Sequence, residues 1–131
     1  MMQVIGIDTN ALLEYFLARA NKSKIESVIK KCINNEVMIY VALPVFLELE
    51  WVLRSYYKIN KKEVINILQS LFEMNKLITD DKPLLLMSIE LFEKDNSMSF
   101  TDCVIFNLNR KNHVSKLLTF DKKFEKKFVV E

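Results

Sequence analysis

Apolar positions along this chain change period repeatedly, and each change marks a predicted element. Val4-Ile5-Gly6-Ile7 is a short continuous apolar run, which predicts a buried strand. Over residues 9–20, Leu12, Leu13, Phe16 and Leu17 recur at helical spacing and predict a helix. A second helix is predicted from Ser23 to about Asn34, with Ile25, Val28, Ile29 and Cys32 on one side. Val37-Met38-Ile39-Tyr40-Val41 reads as a strand, and Pro44 suits the first turn of a helix reaching about Tyr56. Asn60, followed three residues later by Glu63, marks the start of a helix carrying Val64, Ile65, Leu68, Leu71 and Phe72. Residues 76–79 form a brief strand, Asp81 and Pro83 open a helix to about Lys94, and Ser99 caps another to about Lys111. Residues 116–119 read as a strand, a short helix follows Asp121, and Phe128-Val129-Val130 is a final strand.

Strands alternating with helices predict an α/β fold of three layers, a parallel sheet covered on both faces. In such sheets sites form beyond the carboxyl ends of strands, where strand order reverses. One glycine and two prolines leave no flexible linker, so residues 1–131 are expected to form a single domain. That length can bury a sizeable core, and a chain that is 50% hydrophobic is globular rather than disordered. No apolar run approaches the roughly 18 residues of a membrane span, and Met1-Met2-Gln3-Val4-Ile5 does not resemble a signal peptide. A cytoplasmic location is expected.

Four acids flank these elements. Asp8 follows the first strand, Glu48 lies in Val45-Phe46-Leu47-Glu48, Asp102 precedes Cys103-Val104-Ile105-Phe106, and Asp121 follows Leu117-Leu118-Thr119-Phe120. Each has a plain alternative role. Asp8 and Asp121 suit helix N-caps, Asp102 suits a first helical turn, and Glu48 suits a solvated rim. A helical wheel centred on Val45, Leu49, Val52 and Tyr56 puts Glu48 at the edge of the apolar face. On the same wheel Glu50 falls on the surface, four residues before Arg54 and suited to an ion pair. Asp8 and Asp121, each past a predicted strand, are expected to lie together.

If the four acids converge they need a counter-charge, since two carboxylates ~4 Å apart repel by roughly 4 kcal/mol at an effective dielectric near 20. Hard oxygen donors suit Mg²⁺ or Mn²⁺, and such ions serve phosphodiester hydrolysis. A zinc site or a Ser-His-Asp hydrolase is poorly supplied, because His113 is the single histidine. Cys32 and Cys103 form no CxxC and read as buried small hydrophobes. The net charge of +2 is uninformative until its distribution is considered. Residues 110–127 hold Arg110, Lys111, Lys116, Lys122, Lys123, Lys126 and Lys127 against only Asp121 and Glu125. That stretch suits either a phosphate backbone or a solvated lysine-rich face; Arg110, Lys122 and Lys123 are its candidate phosphate contacts.

Four segments, in order, resemble the motifs of the PIN domain family, specifically VapC-type toxins of VapBC toxin–antitoxin pairs. They are Ile7-Asp8-Thr9-Asn10-Ala11-Leu12-Leu13, Phe46-Leu47-Glu48-Leu49-Glu50-Trp51-Val52-Leu53-Arg54, Ser99-Phe100-Thr101-Asp102-Cys103-Val104-Ile105 and Leu117-Leu118-Thr119-Phe120-Asp121-Lys122-Lys123-Phe124. The resemblance implies a five-stranded parallel sheet of order 3-2-1-4-5 and endoribonuclease activity. It implies Asp8, Glu48, Asp102 and Asp121 as catalytic ligands of Mg²⁺ or Mn²⁺, supported by Asn10 and Thr119. It also implies RNA as substrate, a homodimer, and a small VapB-like antitoxin as partner. The loop Asn96-Ser97-Met98-Ser99 lacks the glycine common before the third motif. Two other readings stay open: a PIN-like module that binds RNA or a partner without cutting, and a phosphatase using Asp8, which Asp8-Thr9-Asn10 fits less well for want of a second acid.

Overall fold

A computed structural model of the chain describes residues 1–121. Lys122 and Lys123, the helix expected after Asp121 and the strand expected at 128–130 lie outside the described residues. The chain divides into two compact units, Met1–Lys82 and a second beginning at Pro83.

The first unit is built on three parallel strands. β1 (Val4–Gly6) leads into α1 (Thr9–Phe16) and α2 (Lys22–Ile33), and β2 (Met38–Tyr40) follows. Then come α3 (Leu43–Trp51), α4 (Lys61–Phe72) and β3 (Leu77–Ile78). The strand order is β1-β2-β3, with Ile5 opposite Ile39 and Ile39 opposite Leu77. Ile39 and Leu77 are buried, so the sheet centre is part of the core. Phe46 of α3 stacks on Phe72 of α4 with ring centroids 4.8 Å apart. Such a pair adds about 0.5–1.5 kcal/mol beyond the burial of its area.

Helix starts follow the sequence closely. The Asn60 side chain accepts from Glu63 N at 2.9 Å, as its spacing predicts. The end of α1 does not. It stops at Phe16 rather than near residue 20. Arg19 N donates to Glu14 O, Ala18 N donates to Tyr15 O, and Ala18 has φ 52°. That is a Schellman turn, whose left-handed position normally belongs to glycine. α2 closes the same way through Asn35 at φ 63°, and asparagine tolerates that conformation better than alanine does.

α3 continues into a π-helical turn over Val52–Tyr56, with Tyr57 N donating to Val52 O at 3.2 Å. The wider turn shifts the phase of the side chains, which corrects the expected wheel. The buried stripe is Phe46, Leu49, Glu50 and Leu53, while Tyr56 is 73% exposed. Glu50 is therefore not a surface residue but only 5% exposed, because Phe46 four residues before it and Leu53 three after it lie in the core.

The second unit contains α5 (Lys82–Lys94), which begins at the boundary, and α6 (Phe100–Lys111). Phe92 and Phe100 meet at 5.7 Å between centroids. Buried Asn107 donates through Nδ2 to Ser88 Oγ at 2.9 Å, and Ser88 Oγ donates to Leu84 O at 2.8 Å. Those bonds satisfy two polar side chains whose burial would otherwise be costly, and they tie α5 to α6. Ser99 caps α6 as expected.

The expected five-stranded sheet is corrected here: among the described residues there are three strands. Residues 116–119 form none. Leu118 is 85% exposed and Leu117 only half-buried, so the segment gains little burial to offset the entropy of ordering four residues. The order β1-β2-β3 matches the first half of the expected sheet.

Candidate active site

Asp8 stands where the sequence predicts, just beyond the carboxyl end of β1 and at the N-cap of α1. Its Oδ1 accepts from Ala11 N at 3.0 Å. The capping role is thus realised, yet it occupies one oxygen. Oδ2 has no hydrogen bond among the described residues, and the side chain is exposed. Asn10, on the first turn of α1, is exposed as well.

A solvent-open hollow of ≈ 410 Å³ lies at this edge of the first unit, lined by Gly6, Ile7, Asp8, Ala11, Tyr40, Ala42 and Val45. It opens where β1 and β2 end and where α1 and α3 begin. Strand pairing explains its composition: Gly6 stands opposite Tyr40, and Ile7 N donates to Tyr40 O at 3.0 Å. Gly6 is the single glycine of the chain, and a Cβ there would meet no atom within 4 Å. A bare backbone on a hollow wall permits close approach by a ligand.

Sequence reasoning missed another carboxylate of this unit. Asp80, two residues past β3, accepts from Tyr40 Oη through Oδ1 and from Leu43 N through Oδ2, each at 2.8 Å. It therefore clamps the tyrosine at the end of β2 and the first turn of α3. The amide of Leu43 and then the phenol of Tyr40 hold the Asp80 carboxyl below its ordinary range. The same bond to Asp80 pushes the Tyr40 phenol up. The available signal was position: like Asp8, Asp80 follows a strand. Its place in Asp80-Asp81-Lys82-Pro83 disguised it as the start of the next helix.

Glu48 is exposed on α3, with no hydrogen bond or ion pair among the described residues. In the second unit, half-buried Asp102 completes a capping box. Its N donates to Ser99 Oγ at 3.0 Å and its Oδ2 accepts from Ser99 N at 3.3 Å. Asp121 is exposed and its N donates to Thr119 Oγ1 at 3.1 Å. It does not follow a strand, as was expected. Arg110 is exposed near the end of α6, its guanidinium 5.7 Å from the Phe106 ring centroid.

Asp8 and Glu48 thus belong to the first unit and Asp102 and Asp121 to the second. Among the described residues no three His, Cys, Asp or Glu side chains form a group that could hold a metal ion. As donors, the exposed Glu48 carboxylate and the free oxygen of Asp8 beside the hollow are hard ligands of the kind Mg²⁺ and Mn²⁺ take. Cys32 and Cys103 are buried as expected, and burial pushes the Cys32 thiol up, away from reactivity.

The chain matches the PIN domain family over residues 5–128. It belongs to the PIN domain family. That membership supports a nuclease, the activity class implied by the four motifs. No curated protein matches this PIN domain. Among solved structures it is similar to the Mycobacterium tuberculosis VapC20 toxin, described as cleaving the sarcin-ricin loop. The identity is 16%, the match covers 98% of each chain, and the TM-score is 0.40. A likeness of that size adds nothing to the family match. No helix among the described residues of the PIN domain is long and apolar enough to cross a membrane.

Proposed function

We propose that this PIN domain is a metal-dependent endoribonuclease, the toxin of a VapBC-type toxin–antitoxin pair that hydrolyses RNA phosphodiesters. The observation that carries this reading is the family match over residues 5–128, within which all four acid-bearing motifs fall in order. Both compact units then serve one domain spanning residues 1–131.

Asp8, Glu48, Asp102 and Asp121 would hold Mg²⁺ or Mn²⁺, which when bound supplies water activation at neutral pH and a counter-charge to the phosphodiester. The protein's own part is positioning. The Ala11 amide fixes Asp8 at the mouth of the hollow, and the Ser99 capping box fixes Asp102 on the first turn of α6. Thr119 accepts from the Asp121 amide and orders the backbone there, and Asn10 supports the acids from α1. Arg110, Lys122 and Lys123 bind the phosphate backbone, a contact that weakens as salt rises. The motif resemblance further supports a cytoplasmic homodimer neutralised by a small VapB-like antitoxin.

Incubation of purified protein with single-stranded RNA and Mg²⁺ or Mn²⁺ tests the reading. Internal cleavage that EDTA abolishes is expected. RNA binding without cleavage or metal uptake would instead make the chain a PIN-like binding module.

A further inference from the structure

We propose that the Tyr40 ring, clamped by Asp80, is a platform on which a base of the RNA substrate stacks beside Asp8. The inference rests on the ribonuclease reading and adds to it a residue that positions substrate.

Three observations support it. Tyr40 is half-buried and lines the same hollow as Asp8, at the carboxyl ends of adjacent strands. Its hydroxyl is already engaged, donating to Asp80 Oδ1 at 2.8 Å, while Asp80 Oδ2 is held by Leu43 N. The ring therefore stands in place before any ligand arrives, which reduces the entropy lost on binding. Opposite it is Gly6, where no side chain fills the space. A rigid aromatic wall, a bare backbone and an adjacent carboxylate that suits a divalent cation fit one nucleotide of single-stranded RNA. Its base meets the ring and its phosphate lies toward Asp8. Stacking tolerates every base, so Tyr40 contributes affinity and positioning rather than sequence choice.

The test uses the full chain carrying Asp8→Asn, so that binding is read without cleavage, and a short single-stranded RNA containing 2-aminopurine. Tyr40→Phe and Tyr40→Leu both lose the bond to Asp80, so their difference isolates the ring. Tyr40→Phe is expected to keep the 2-aminopurine quenching and nearly the parent Kd. Tyr40→Leu should lose the quenching and bind about tenfold more weakly, a typical loss for one stacked base. In the cleaving background, Tyr40→Leu should raise KM more than it lowers kcat. Circular dichroism melting of each variant reads the fold separately, and Asp80→Asn, which like Tyr40→Phe keeps a ring and weakens its clamp, should match Tyr40→Phe in quenching and Kd. Equal binding and quenching by Tyr40→Phe and Tyr40→Leu, with RNA still cleaved by the wild type, overturns the platform and leaves the ribonuclease standing. A wild-type chain that neither binds nor cleaves RNA overturns both.

Discussion

The carboxyl ends of β1 and β3 each carry an acid, and the two acids are used differently. Asp80, after β3, has both oxygens engaged by Tyr40 and Leu43. Asp8, after β1, has one oxygen engaged by Ala11 and the other without a partner among the described residues, beside an open hollow. A carboxylate with both oxygens engaged by the fold is a structural clamp. One that is anchored and still half free is equipped to hold something else. α3 repeats the contrast over two residues, with Glu50 buried among Phe46 and Leu53 while Glu48 faces solvent.

The largest expected effect separates Asp8 from Asp80. Asp8→Asn should lower RNA cleavage by at least ~100-fold, the scale of losing a group that stabilises developing charge, with little change in melting temperature. Asp80→Asn should leave residual cleavage and act through the fold; equal kinetic losses in the two variants would erase the distinction.

Next in size is the pair on α3. Glu50→Ala should cost roughly 1–3 kcal/mol in urea unfolding, since it empties a buried position, whereas exposed Glu48→Ala should change stability by less than about 0.5 kcal/mol. Activity per folded molecule should fall in the opposite order. A stable, inactive Glu50→Ala protein would exchange the two roles.

A smaller effect is the pH dependence of the Tyr40–Asp80 clamp. Asp80 titrates lower folded than unfolded, so its contribution is present above the unfolded value of about 3.9 and is lost as pH falls through the folded value. Tyr40 titrates higher folded than unfolded, so its contribution is present below about 10 and is lost as pH rises through the folded value. The stability gap between wild type and Asp80→Asn should therefore be flat near neutrality and narrow at both extremes. A gap that stays constant into acid would show that the carboxylate does not carry the clamp.

The smallest expected effect is at the end of α1. Ala18→Gly should raise stability by about 0.5–1 kcal/mol, because it removes the Cβ penalty of a left-handed residue while adding some unfolded-state entropy. A decrease in thermal melting would mean that the turn opens in solution.

Helix starts were legible because caps are chemical: Asn60 with Glu63 and Ser99 with Asp102 form the bonds their spacing implies. The end of α1 was not, since Ala18 rather than the usual glycine takes the left-handed position that closes it; the ends at Ile33, Lys94 and Lys111 were. Glu50 was misplaced because a π-helical turn after it makes Val52 and Tyr56 poor guides to the buried side. Phe46 and Leu53, on either side of Glu50, carried the correct signal. The strand expected at 116–119 rested on a short apolar run, and an apolar run specifies a strand only when something buries it. Asp8, Glu48, Asp102 and Asp121 were legible as motif residues. Tyr40 with Asp80 was not, because their bond joins residues 40 positions apart.

Calorimetric titration of Mn²⁺ into the wild type and into Asp8→Asn, Glu48→Gln, Asp102→Asn and Asp121→Asn tests most directly whether four separately held acids serve one centre. Saturable uptake by the wild type is expected, weakened in every variant while each melts as a folded protein. Undiminished uptake in all four variants, or none in a wild type that still cleaves RNA, would contradict it.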